Sequence, residues 1–150
     1  MQLRDVLGKP PSAILKTSST AMDAITMMIE DEVRSVLIDM DDPQDAYGIV
    51  TTKDIITDVI SKGVDPSKVL LGDICSKPLV VANNLDIDIR WMAKKMANEG
   101  VVRLAVYDGG TLKCLVSDVD ILKALAKELE SGPDDEKEEK HEHRSEKVKE

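Results

Sequence analysis

The chain has 150 residues, 42% of them hydrophobic, and a formal charge of −9. That suffices for one domain or two small halves sharing a core, and no stretch approaches the ~20 apolar residues a membrane span needs. The acidic balance speaks against duplex nucleic acid, whose affinity rests on many Lys and Arg contacts to phosphate, but not against a small anionic ligand met by local positive charge.

A short leading turn is expected over residues 3–8, then a strand segment near residues 13–16. Thr20 is a good N-cap and opens a helix. Asp23, three positions on, gives a weak capping box. Ala21, Ala24, Ile25 and Met28 fall on one helical face. Residues 33–39 and 47–51 read as strands joined by a loop over 40–46. A second helix over 53–62 carries Ile55, Ile56, Val59 and Ile60 as its stripe and stops at Gly63, which suits a left-handed cap.

The same series then begins again. A leading turn covers 71–76 and a strand segment covers 80–82. Asp88 caps a helix whose face holds Ile89, Met92, Ala93 and Met96. Strands over 101–107 and 113–117 are joined by Asp108-Gly109-Gly110-Thr111, a strong hairpin signal. A helix over 119–130 carries Ile121, Leu122, Leu125 and Leu129. Residues 131–150 hold eight acidic and five basic side chains and read as a disordered charged tail. The tail's His141 and His143 read as solvated rather than metal-binding.

Two further exclusions follow. Met1-Gln2-Leu3-Arg4-Asp5 carries no apolar leader core, so a cytoplasmic location is expected. Cys75 and Cys114 are too few and too far apart for a disulfide framework, so both read as buried thiols.

The repetition is register-exact at an offset of 68 residues. Leu3-Arg4-Asp5-Val6 matches Leu71-Gly72-Asp73-Ile74, and Lys9-Pro10 matches Lys77-Pro78. After a loop two residues shorter, Gly48-Ile49-Val50-Thr51-Thr52-Lys53-Asp54-Ile55 matches Cys114-Leu115-Val116-Ser117-Asp118-Val119-Asp120-Ile121. Such duplication suggests paired sites. In each copy an apolar strand runs out at Thr51 or Ser117 and a helix starts at once. The hydroxyl and the carboxylate three residues later, Asp54 or Asp120, share that mouth. Free N–H groups and the helix dipole there favour an anion, and a carboxylate can accept from two ribose hydroxyls. The same residues also make an ordinary helix cap, and that reading stays open. Ile14 and Ile49 in one copy and Val81 in the other are positioned to line an apolar slot, with core packing as their competing role.

The segments Val101-Val102-Arg103-Leu104-Ala105-Val106-Tyr107-Asp108 and Gly48–Ile55 resemble the CBS (cystathionine-β-synthase) domain, and the tandem pair over residues 1–130 resembles a Bateman module. The resemblance implies an α+β fold of two β-α-β-β-α repeats related by a pseudo-two-fold, residues 1–66 and 67–130. It implies an adenosine-containing ligand, AMP, ADP or ATP, between the repeats, with no cofactor otherwise required. Carried over, Asp54 and Asp120 hold ribose, Thr51 and Ser117 contact phosphate, and Arg103, contributed from the opposite repeat, faces the Asp54 site. A charge-assisted Arg–phosphate pair would supply the positive charge an acidic protein lacks.

The two copies differ at positions of that pattern, and the differences weaken the Asp120 site. Ser35 stands where Arg103 would repeat, Cys114 where Gly48 would, and Val119 where Lys53 would. The Asp54 site is therefore expected to be the better one. Trp91, Met22, Met27 and Ile29 lie off the apolar stripes, and the family commonly dimerises through such helices into a disc of four repeats. No nucleophile–base pair or metal-spaced cluster argues for an enzyme. The expectation is a stand-alone regulatory module signalling to a protein partner in trans. A ligand-free homo-oligomeric scaffold, or an S-adenosylmethionine binder, is the alternative.

Overall fold

Local signals in the chain set the ends of each element. Thr20 accepts from the Asp23 N–H at 3.2 Å while Asp23 accepts from the Thr20 N–H at 2.9 Å, a full capping box at the start of α1 (Ala21–Glu30). Asp88 accepts from the Arg90 N–H at 2.8 Å and opens α3 (Ile89–Glu99). Gly100, at φ +66°, closes α3 in the left-handed conformation; its counterpart in the first copy is Glu32, also at positive φ. Gly109 and Gly110 both take positive φ, as a tight primed turn requires, and join β5 (Arg103–Asp108) to β6 (Thr111–Ser117).

The computed structural model describes residues 1–8, 10–11 and 13–130; the charged stretch expected to be disordered lies outside the described residues. The first copy contains β1 (Ile14–Leu15), α1, β2 (Ser35–Ile38), β3 (Gly48–Thr51) and α2 (Thr52–Ile55), which continues as a π-helical turn, Ile56–Ile60. The second contains β4 (Val81–Ala82), α3, β5, β6 and α4 (Asp118–Glu130). Sheet orders are β1-β2-β3 and β4-β5-β6. In each the first pair is parallel and the second antiparallel. This is the duplicated β-α-β-β-α, α+β architecture expected from the repeat.

Alternation along the strands divides each sheet into two faces. On one face of the first sheet, Val36 lies opposite Val50, and Ile38 opposite Leu15. Val36, Ile38 and Val50 join Ala21, Ala24, Met28, Ile55, Val59 and Leu71 in one core. The helical stripes are narrower than the sequence suggested. Ile55 and Val59 are buried, but Ile56 and Ile60 are 58% and 48% exposed. Ile121 and Ala124 are the buried pair of α4, while Leu122 is 63% exposed. Met27, expected off the stripe, packs against the first core, and Ala93, expected on it, is exposed.

The sequence repeat and the spatial grouping cut the chain differently. Pro10–Val80 forms one compact unit; the other runs from Val81 onward and takes in the amino-terminal segment. Leu71 and Gly72 donate backbone bonds to Ser19 (2.8 Å) and Thr17 (2.9 Å). Leu3 and Arg4 make the same bonds to Ile87 (2.7 Å) and Leu85 (2.9 Å). The leading turn of each copy is thus hydrogen-bonded beside the helix of the other, and Leu3 and Leu71 are both fully buried. The expected division after residue 66 follows the sequence repeat and leaves this exchange out.

Candidate functional site

Both strand–helix junctions fold as reciprocal caps. The Thr51 N–H donates to Asp54 Oδ2 at 2.7 Å, and the Thr51 hydroxyl donates to the same oxygen at 3.0 Å. The Asp54 N–H returns a bond to Thr51 Oγ1 at 3.3 Å. In the second copy the Ser117 N–H donates to Asp120 Oδ2 at 2.9 Å, and the Asp120 N–H donates to Ser117 Oγ at 3.3 Å. All four residues are part-buried. The capping reading therefore holds in both copies. It does not use up the carboxylates: each of the bonds that they accept in the cap falls on Oδ2, and Oδ1 takes none of them. A carboxylate oxygen left outside the cap at a helix mouth is a good acceptor for a ligand hydroxyl.

Register places the other candidates. Ile14, Leu37 and Ile49 lie in one row across the first sheet, and Ser35–Thr51 is the next pair on the same face. Ile14, Ile49 and Thr51 thus share a face, opposite the one that builds the core. In the second sheet Val81, Ala105 and Leu115 form the matching row, and Arg103 pairs directly with Ser117. Val81, Arg103 and Ser117 therefore share a face in turn. Ile14 is 42% exposed; Ile49, Val81 and Arg103 are part-buried. Arg103 and Asp54 belong to different units, whereas Arg103, Ser117 and Asp120 belong to the same one.

Two lysines escaped the sequence reading. Lys95 donates to the Val81 carbonyl at 2.7 Å, bringing a positive charge to the edge of β4. Its counterpart in the first copy is Met27; that break in the repeat was the available signal. Lys77 donates to Asp45 at 2.6 Å and to the Asp39 carbonyl at 3.4 Å, tying down the loop between β2 and β3. The Asp41 N–H foremost, and then the Lys77 ammonium, hold the Asp45 carboxyl at about 2.

Lys77 also packs closely against Gly48. A Cβ there would lie 2.6 Å from Lys77 Cγ and 3.1 Å from the Ser76 carbonyl oxygen. Glycine makes room for the lysine stem and for the Ser76–Ile49 backbone bridge. The Gly48–Cys114 difference thus has a packing reason in the first copy. Cys114 is buried as expected, and Cys75 is only part-buried; burial raises both thiols above their ordinary range. Among the described residues no helix is long and apolar enough to cross a membrane.

Comparison with known proteins agrees with the duplicated architecture. The model of the CBS domain matches residues 3–61 and 71–127. An uncharacterized protein of Methanopyrus kandleri is 31% identical over 121 residues, 80% of this chain and 58% of the relative. One of Methanocaldococcus jannaschii is 29% identical, over 79% and 62%. The chain therefore spans about three fifths of these relatives. A hexameric CBS-CP12 protein from bloom-forming cyanobacteria is similar in structure, with TM-score 0.75, 31% identity, and coverage of 82% of this chain and 71% of that one. A CBS domain protein from Pyrobaculum aerophilum, solved in complex with AMP, has TM-score 0.68 at 18% identity, with 85% and 99% covered.

Proposed function

The chain belongs to the CBS-domain family, a regulatory domain type, and from that premise we propose that it senses an adenosine-containing ligand, AMP, ADP or ATP, and passes its occupancy to a protein partner. The observation that carries this reading is the repeated cap at Thr51–Asp54 and Ser117–Asp120, which spares one carboxylate oxygen in each copy. In this reading Asp54 Oδ1 accepts from ribose hydroxyls and Thr51 meets the phosphate. Ile14 and Ile49 border the base. Ser117, Asp120 and Val81 form the second set. The AMP complex of the Pyrobaculum protein supports the choice of ligand class through the shared fold.

Regulation follows from differential affinity. A ligand favours whichever arrangement of the protein it contacts best, and can shift the balance only by that difference. A homodimer is part of the proposal, as is a cytoplasmic setting. Thermal unfolding with a panel of AMP, ADP, ATP and S-adenosylmethionine tests the reading. An adenine nucleotide at ~100 times its dissociation constant is expected to stabilise the chain by about 2.7 kcal/mol. A shift from S-adenosylmethionine alone would replace the nucleotide by that ligand. No shift from any of the four would leave a ligand-free scaffold.

A further inference from the structure

The body of the chain and the stretch that follows it are both acidic. Residues 1–130 hold 21 acidic and 15 basic side chains, and Asp134-Asp135-Glu136-Lys137-Glu138-Glu139 adds five acids in six positions. Like charge repels such a block from most of the surface. The helix α3 runs against that trend, with Arg90, Lys94 and Lys95 against a single acid, Glu99. Ile89, Met92 and Met96 are its buried residues, and Trp91 and Lys94 stand on the exposed side. Trp91 is 65% exposed, and the Lys94 ammonium lies 5.6 Å from the centroid of its ring.

The three cations differ in availability. Arg90 is already engaged by Asp88 at 3.4 Å and Glu128 at 3.5 Å. Lys95 is held by the Val81 carbonyl. Lys94 forms no salt bridge among the described residues. Position brings the acidic block to it. The Arg90–Glu128 contact sets the last turn of α4 beside the first turn of α3. Gly132-Pro133 follows α4 in the sequence, a pair that does not continue a helix. Four residues beyond Glu130 span up to about 13 Å, whereas Arg90 and Lys94 stand about 6 Å apart, one helical turn. The acids from Asp134 onward are therefore within reach of Lys94.

We propose that the acidic segment Asp134–Glu139 docks on the exposed side of α3 in its own chain, with its carboxylates on Lys94 and its backbone across the Trp91 ring. A single exposed ion pair is weak. Tethering raises the effective concentration of the segment to about the millimolar range, so several weak contacts suffice. An exposed aromatic ring beside the lysine gains from being covered. Held there, the segment keeps Trp91 from other chains. A partner that reads this side of α3 must first displace an acidic peptide. The inference goes beyond the ligand reading and does not depend on it.

Acrylamide quenching of Trp91, the only tryptophan, reads the contact in the full chain without nucleotide. Quenching should rise about twofold between about 0.01 M and about 1 M salt, as the screening length falls from ~30 Å to ~3 Å. A full-length variant carrying Asp134→Asn, Asp135→Asn, Glu136→Gln, Glu138→Gln and Glu139→Gln should show the high-salt value already at low salt. Lys94→Glu should do the same, and Lys94→Arg should keep the wild-type protection. Circular dichroism checks that the Lys94 substitutions leave the fold intact, and the five-fold segment variant leaves residues 1–130 unchanged. Equal quenching of the wild type and the segment variant at low salt overturns the proposal. So does protection of Trp91 that appears only as protein concentration rises, because that dependence belongs to a second copy.

Discussion

Asp54→Ala is expected to lower the affinity for AMP by about tenfold to a hundredfold, and Asp120→Ala to lower it less. A hydrogen bond to a charged group contributes about 1.5–3 kcal/mol, and every 1.4 kcal/mol is a factor of ten in affinity. Asp54 does two jobs in this account. Its Oδ2 closes the cap with Thr51, and its Oδ1 waits for the ligand. Alanine removes both, and loss of a cap alone costs about 1 kcal/mol of stability. Asp120→Ala removes the matching cap at Ser117, so it controls for that cost. The asymmetry rests on charge at the two helix mouths. Lys53 precedes Asp54, where Val119 precedes Asp120. Titration calorimetry on the two variants decides it. Equal losses would remove the asymmetry, and unchanged affinity in both would remove the carboxylates from the binding account.

Leu71→Ala is expected to destabilise the protein by about 2–5 kcal/mol, the range for emptying a fully buried leucine site. Leu71 opens the second sequence repeat, yet it is fully buried in the core built by α1, β2 and β3. Its N–H bond to Ser19, the Gly72 bond to Thr17 and the Thr20–Leu70 bridge hold it there. Leu70, 46% exposed, is the control, and Leu70→Ala should change stability by no more than about 0.5 kcal/mol. Urea unfolding measures both. A loss below about 1 kcal/mol for Leu71→Ala would show that the exchanged segment contributes little to that core.

Much of this architecture was legible because local chemistry and global fold agree. Thr20, Asp88, Gly63 and the Gly109-Gly110 turn each announce an element end through a hydrogen bond or a positive φ. What was not legible depends on distant residues. Nothing local distinguishes Ile55 from Ile56, since both continue an apolar run; only the packing of the π-helical turn buries one and leaves the other 58% exposed. The exchange of the leading turns likewise shows in no periodicity, because the repeat looks the same whichever core receives each leucine. At the candidate site, Thr51, Asp54, Ser117 and Asp120 could be read from a spacing of three residues. The partners of Lys77 and Lys95 could not, because each acts on a backbone or loop remote in sequence; for Lys95 only the break with Met27 marked the position.

A crystal structure of the chain grown with AMP tests the central proposal most directly. The account expects the ribose hydroxyls at hydrogen-bond distance, ~2.7 Å, from Asp54 Oδ1, with the phosphate held by Thr51. An AMP molecule bound away from both cap aspartates, or crystals at saturating AMP with no nucleotide at either, would contradict it.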